Sequence, residues 1–179
     1  MRKVVLYIAL SADGYIADAN GGIGWLEGHA KEYTGDYGYT EFIEGVDTIV
    51  MGYNTYHQIS TELFQTEWPY KGMVTYVLTH RKRQDTDEIK FVDCPVTELV
   101  DILKRQEGKE IWICGGAAVA QPLIERDEID EYQLSVAPTI LGRGVRLFKE
   151  ADKEIPLQLV SSTPINGIVC NVYTRRNKG

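Results

Sequence analysis

"IWICGGAAVA", residues 111–120, is an apolar run that halts on two glycines and resumes with small residues. Residues 110–114 have the length and Ile/Trp content of a buried strand. The restart at Ala117 predicts a helix over 117–126, with Pro122 either in its first turn or kinking it. The first N–H groups of a helix lack partners inside it, and with the helix dipole they attract anions. Gly115, Gly116, Ala117 and Ala118 carry so little side chain that a phosphate has room to reach those groups. The other reading is that the glycines only allow close packing of helix on strand.

Two more strand ends share this character. "DTIVMG" (47–52) runs into a short helical stretch over 54–60, where Asn54 or Thr55 can cap the helix or donate to a second phosphate. "MVTYVLT" (73–79) runs into "HRKR" (80–83), which places Thr79, His80 and Arg81 at a strand end. Hydroxyls and cations there suit a cofactor 2′-phosphate; the bland alternative is a solvated basic turn. Two phosphate cradles beside a basic turn point to a phosphorylated dinucleotide. Further strands are read at 3–10, 89–92, 131–138, 156–163 and 167–176. A helix is expected over 97–106, with Val96, Leu99, Val100 and Leu103 on one face after Pro95. A weaker helix is read over 33–45, where Gly35 and Gly38 oppose it. Strands alternate with helices up to residue 124, and Asn166-Gly167 then marks a hairpin. The pattern predicts one α/β domain over 1–179, a three-layer sandwich. Its mixed, mostly parallel sheet has about eight strands and an antiparallel C-terminal edge. Ligands of such sheets bind beyond the carboxyl ends of the strands.

Composition excludes other classes. The 179 residues are 44% hydrophobic and 25% charged, enough for a real core. Nineteen basic against 26 acidic residues leave a net charge of −7, which argues against nucleic acid or an anionic membrane as partner. Cys94, Cys114 and Cys170 are odd in number and widely spaced, so reduced thiols in a cytoplasmic protein are expected. His29, His57 and His80 have no metal-ligand spacing, so no metal is expected. The apolar start soon meets Asp13, too early for a signal peptide or membrane span. The G-x-G-x-x-G fingerprint and Walker A are both absent, so a dinucleotide has to bind in another fold's manner.

Six stretches in order carry a resemblance: "LSADGYIA" (10–17), "GGIGWL" (21–26), "TIVMGYNTY" (48–56), "YVLTHR" (76–81), "IWICGGAAVAQPLI" (111–124) and "SVAPTILGRGVRLF" (135–148). Together they resemble the RibD C-terminal, or riboflavin-pathway reductase, family of the dihydrofolate reductase-like fold. The resemblance implies an NADPH-dependent reductase of a small heterocyclic substrate, similar to 5-amino-6-(5-phosphoribosylamino)uracil reductase. It implies that Gly115, Gly116, Ala117, Ala118 and Val119 hold the cofactor pyrophosphate, with Gly52, Asn54 and Thr55 at the phosphates. Thr79, His80 and Arg81 would face the 2′-phosphate, and Ala9 the nicotinamide. Asp13, at the end of the first strand, is the leading substrate and acid residue, and Asp36 its rival. Gly14, Trp25, Tyr53 and Tyr56 complete the expected substrate side, with residues 18–25 as a lid. Two alternatives remain, a pterin reductase of the dihydrofolate type and a non-catalytic NADP-binding protein. Met73 speaks against the first, because it stands where a folate tail would need an arginine. Lys31 and Lys71 are the nearest cations for a substrate phosphate. Relatives pair as homodimers through sheet edges, with residues 131–141 a possible edge here.

Overall fold

Runs of Val, Ile and Leu bounded by charged turns become the strands of one large sheet. The computed structural model describes residues 1–151 and 153–176. Residues 152 and 177–179, part of the expected domain, lie outside the described residues. The strands are β1 (Val4–Ser11), β2 (Tyr15–Ala17), β3 (Val46–Gly52), β4 (Val74–Leu78), β5 (Ile89–Val92), β6 (Glu110–Gly115), β7 (Glu131–Ala137), β8 (Val145–Arg146), β9 (Leu157–Ile165) and β10 (Ile168–Arg175). The α-helices are α1 (Tyr39–Glu44), α2 (Tyr53–Gln58), α3 (Val96–Lys104) and α4 (Ala117–Glu125).

The main sheet has eight strands in the order β5-β4-β3-β6-β1-β7-β10-β9. Neighbours from β5 through β7 are parallel, whereas β10 is antiparallel to both β7 and β9. Asn166 and Gly167 link β9 to β10 at φ 48° and 82°, the left-handed pair that a two-residue hairpin needs. β1 lies inside the sheet, between β6 and β7, and its Val4, Val5 and Leu6 are fully buried. This is the α/β, dihydrofolate reductase-like sandwich read from the sequence.

Each face of the sheet has its own core. Val96, Leu99, Val100 and Leu103 of α3 and Leu123 of α4 pack with Val4, Leu6, Val50 and Ile113 on one face. On the other, Phe42 of α1 and Ile59 and Tyr70 pack with Val5, Ile49, Met51, Val77 and Trp112. Alternate residues of one strand point to opposite faces, so both helical layers are held by the same strands. Tyr7 stacks on Phe42 at 4.1 Å between ring centroids, and Trp112 meets both edge-on.

Four local readings need correction. The helix expected over 33–45 shrinks to Tyr39–Glu44, because Gly38 takes φ 85° and turns the chain before it. The stretch over 54–60 begins one residue earlier as α2 and continues as one π-helical turn, Ile59–Leu63, closed by the Phe64 N–H on the Ile59 carbonyl. Pro122 sits inside α4, past its first turn. The short ladder of β2 with β8 was unread, because strands of three and two residues leave too little pattern.

Candidate active site

The parallel strands aim their carboxyl ends at one side of the sheet, and a cleft of about 1230 Å³ opens there. Ile8 and Ala9 of β1, Gly52 at the end of β3, Leu78 at the end of β4 with Thr79 after it, Val92 at the end of β5 and Cys114 of β6 line it. Asn54, Thr55, Gly116, Ala117, Ala118 and Val119 line it as well. The residues expected at a cofactor, Arg81 and Gly115 excepted, thus line one groove, although they come from four parts of the chain. Gly115 stands directly behind them at the end of β6.

Two helices start at this groove without side-chain caps. The N-cap of α4 is Gly116 and that of α2 is Gly52. A methyl carbon built on Gly116 would stand 3.6 Å from the Thr55 hydroxyl, and one on Gly52 would stand 3.3 Å from a Val119 methyl. The two helix starts therefore lie next to each other at the groove, with the Thr55 hydroxyl close to Gly116. Gly115 has φ 120°, which an L side chain rarely adopts, and its peptide to Gly116 is cis. Uncapped amides at the two starts offer donors that suit a diphosphate.

The basic turn after β4 is organised by one aromatic ring. The Arg81 guanidinium lies 4.6 Å from the centre of the Tyr53 ring, and that of Arg83 lies 5.3 Å from it. Arg83 also donates to the Tyr53 hydroxyl at 2.5 Å. His80 pairs with Asp93 through Nδ1 at 2.5 Å. Leu78, Val92 and Val96, all apolar, line the groove beside them. Val92, Asp93 and Val96 were missed from the sequence. The strand-end rule would have found Asp93, the first residue after β5.

The other end of the cleft is neutral. Ile23, Leu26, Ile59, Leu63, Tyr70 and Cys114 line it, with Glu62 at its exposed rim. Desolvation pushes the Cys114 thiol up to about 12, and burial pushes the Tyr70 phenol far up as well. Both are protonated at neutral pH. Among the described residues no Lys or Arg lines the cleft. Lys71 is instead paired with Glu67, and Lys31 is exposed away from the cleft.

Five expected substrate residues lie elsewhere. The Asp13 carboxylate accepts from the Ser11 hydroxyl at 2.6 Å and from the Leu141 and Gly142 amides at 3.1 and 2.7 Å. The Ser11 bond first, and those amides with it, hold its pKa down at about 2. Asp13 thus staples the glycine-rich turn after β7 and does not line the cleft. Gly14 serves the same turn, donating to the Ser11 carbonyl and accepting from Leu147. Asp36 is exposed and accepts from the Gly38 and Thr40 amides at the start of α1; a hydrogen bond from the Thr40 side chain first, and these amides with it, lower its pKa. Trp25 donates through its indole to the Gly22 carbonyl. Tyr56 packs against Trp68 and Phe91 beneath the sheet. Tyr53 alone of that set lines the groove, on the side of the basic turn.

The loop over 18–25 borders the cleft through Asn20, Gly21 and Ile23. Gln58 of α2 donates to its Gly21 carbonyl at 3.2 Å. Among the described residues no three His, Cys, Asp or Glu side chains are grouped to hold a metal ion. Among them, too, no helix is long and apolar enough to cross a membrane.

The chain is similar to several known proteins. The uncharacterized protein YwjB of Bacillus subtilis (strain 168) is 36% identical over 175 residues, covering 97% of this chain and 98% of its own. YyaP of the same organism is 30% identical over 183 residues, covering 96% and 94%. A crystal structure from Shewanella sp. PV-4, of a protein assigned to riboflavin biosynthesis, has a TM-score of 0.86 at 28% identity over 98% of this chain and 99% of its own. Two more distant structures show the fold. One is the diaminohydroxyphosphoribosylaminopyrimidine deaminase/5-amino-6-(5-phosphoribosylamino)uracil reductase of Thermotoga maritima, with a TM-score of 0.72 at 15% identity over 98% of this chain and 57% of that one. The other is the dihydrofolate reductase of Enterococcus faecalis complexed with NADP(H), with a TM-score of 0.69 at 17% identity over 98% and 97%. The family model described as the RibD C-terminal domain matches residues 2–170, and the chain belongs to that family.

Proposed function

We propose that this chain is an NADPH-dependent reductase of a small, uncharged heterocycle. The observation that carries the proposal is the meeting of two uncapped helix starts, at Gly52 and Gly116, beside the arginine-tyrosine stack. The bound cofactor would supply a hydride from its nicotinamide ring. The amides of Ala117 and Ala118 and the Thr55 hydroxyl hold the pyrophosphate, and Gly115 and Gly116 leave room for it. Thr79 and Arg81 take the 2′-phosphate, Leu78, Val92 and Val96 sandwich the adenine, and Ala9 sits at the nicotinamide. The dihydrofolate reductase complexed with NADP(H), which has the same fold, supports this assignment.

The substrate half is given to the neutral end of the cleft. Tyr70 and Cys114 keep their protons there and donate to ring oxygens or nitrogens. Ile23, Leu26 and Leu63 exclude water, with the loop over 18–25 held by Gln58. The lack of a lining Lys or Arg favours a ring without phosphate, unlike the phosphoribosyl compound in the name of the Thermotoga reductase. Asp13 and Asp36 receive no proton-transfer role, since their oxygens serve backbone amides. The edge expected over residues 131–141 is not one, because β7 is paired on both sides, with β1 and β10; the homodimer is proposed instead at the open β9 edge, where Leu159 and Val160 are 54% and 60% exposed.

Titration with NADPH, followed by tryptophan fluorescence, tests the cofactor half. Micromolar or tighter binding is expected, weakened at least about tenfold by Arg81→Ala, the loss of one charge-assisted contact. Oxidation of NADPH at 340 nm is then screened with aminopyrimidines and pterins lacking phosphate. Absence of NADPH binding by the folded wild type refutes the proposal.

A further inference from the structure

The rim of the groove carries a carboxylate where a 2′-phosphate is proposed to sit. Asp93 follows β5 directly and His80 follows Thr79 at the end of β4, and these two strands are parallel neighbours. Both side chains line the groove, and His80 Nδ1 stands 2.5 Å from Asp93 Oδ1. They are largely open to solvent, with side chains 95% and 62% exposed, so the pair adds little to the fold. Arg81 and Arg83, stacked on Tyr53, stand on the same rim. The site therefore offers two opposite chemistries. Guanidinium groups favour a phosphate, while a carboxylate at a strand end accepts from a free ribose hydroxyl and repels a phosphate.

We propose that Asp93 reads the cofactor's ribose, with His80, its hydrogen-bond partner, deciding how far it opposes a 2′-phosphate. This rests on the reading of the groove as a nicotinamide dinucleotide site. While His80 screens Asp93, the arginines dominate and NADPH is accepted. The carboxylate still accepts from the 2′-hydroxyl of NADH, so the protein takes both cofactors instead of rejecting NADH. Arg81 and Arg83, stacked on the Tyr53 ring, supply the opposing charge. Asp93 is thus the one carboxylate among the described residues lining the adenine half of the groove.

The test compares Kd for NADPH and for NADH, read by tryptophan fluorescence at fixed pH and salt, in the wild type, Asp93→Asn and His80→Ala. The wild-type constants are expected within about tenfold of each other. Asp93→Asn is expected to tighten NADPH and weaken NADH, so that the ratio of the two constants moves at least about tenfold toward NADPH. His80→Ala is expected to move the ratio the other way. Thermal melts check that both variants fold, and adenosine 2′,5′-bisphosphate against AMP repeats the comparison without the nicotinamide. Ratios unchanged in both variants would overturn the role of Asp93 while leaving the cofactor site standing. Failure of the wild type to bind either cofactor would overturn the parent reading instead.

Discussion

Alanine at Gly116 and alanine at Gly115 separate a ligand cradle from a packing glycine. Gly116 has φ −77° and ψ −162°, a conformation open to any residue. The added methyl would meet the Thr55 hydroxyl at 3.6 Å, an ordinary contact. Gly116→Ala is therefore tolerated by the fold. Lower entropy of the unfolded chain contributes about 0.4–1 kcal/mol, a rise on the order of 1–4 °C in Tm for a chain of this size. The same methyl fills the gap proposed for the pyrophosphate. Each charge-assisted hydrogen bond lost there costs about 1.5–3 kcal/mol, roughly 10- to 100-fold in Kd. Gly115 differs, because φ 120° strains any L residue. Gly115→Ala is expected to cost about 1–3 kcal/mol and to lower Tm by roughly 2–12 °C. Differential scanning fluorimetry and fluorescence titration with NADPH measure both effects. A Gly116→Ala protein with wild-type Tm and wild-type NADPH affinity would refute the cradle. One that melts several degrees lower would return Gly116 to packing.

Three further outcomes are expected. The folded-state pKa of Asp13, about 2, lies below its unfolded value, so its stabilisation is complete above about pH 4 and is lost as pH falls toward 2. Asp13→Asn should remove that part of the acid sensitivity and leave NADPH binding intact; acid titrations by circular dichroism check it, and loss of cofactor binding alone would count against a structural role. Leu123 is fully buried against the α3 and sheet core, so Leu123→Ala should cost about 2–5 kcal/mol in urea unfolding. Gly167 has φ 82° in the two-residue hairpin, so Gly167→Ala should cost about 1–2 kcal/mol without moving the cofactor Kd.

Much of the fold was legible because it rests on short-range pattern. Apolar runs at 3–10, 47–52 and 110–114 are buried from both faces of the sheet and read as strands without knowledge of their neighbours. The hairpin at Asn166-Gly167 and the helix beginning at Val96 are local as well, set by backbone preference and 3.6-residue spacing. The groove-lining residues at the strand ends were legible for the same reason. A glycine at a strand end before a helix is a local signal, and the parallel sheet gathers such ends on one side.

The partners of each polar side chain were decided only by tertiary structure. Asp13 looked like an acid at a strand end, yet Leu141 and Gly142, some 130 positions away, consume its oxygens. Tyr53 and Tyr56 are three apart on one short helix; one ring meets Arg81, the other turns under the sheet to Trp68. Asp93 and His80 are 13 positions apart and meet because β4 and β5 run side by side. Periodicity says which residues are buried, but a carboxylate's role depends on what lies within about 3 Å of it. That distance is set by how strands far apart in sequence are laid together.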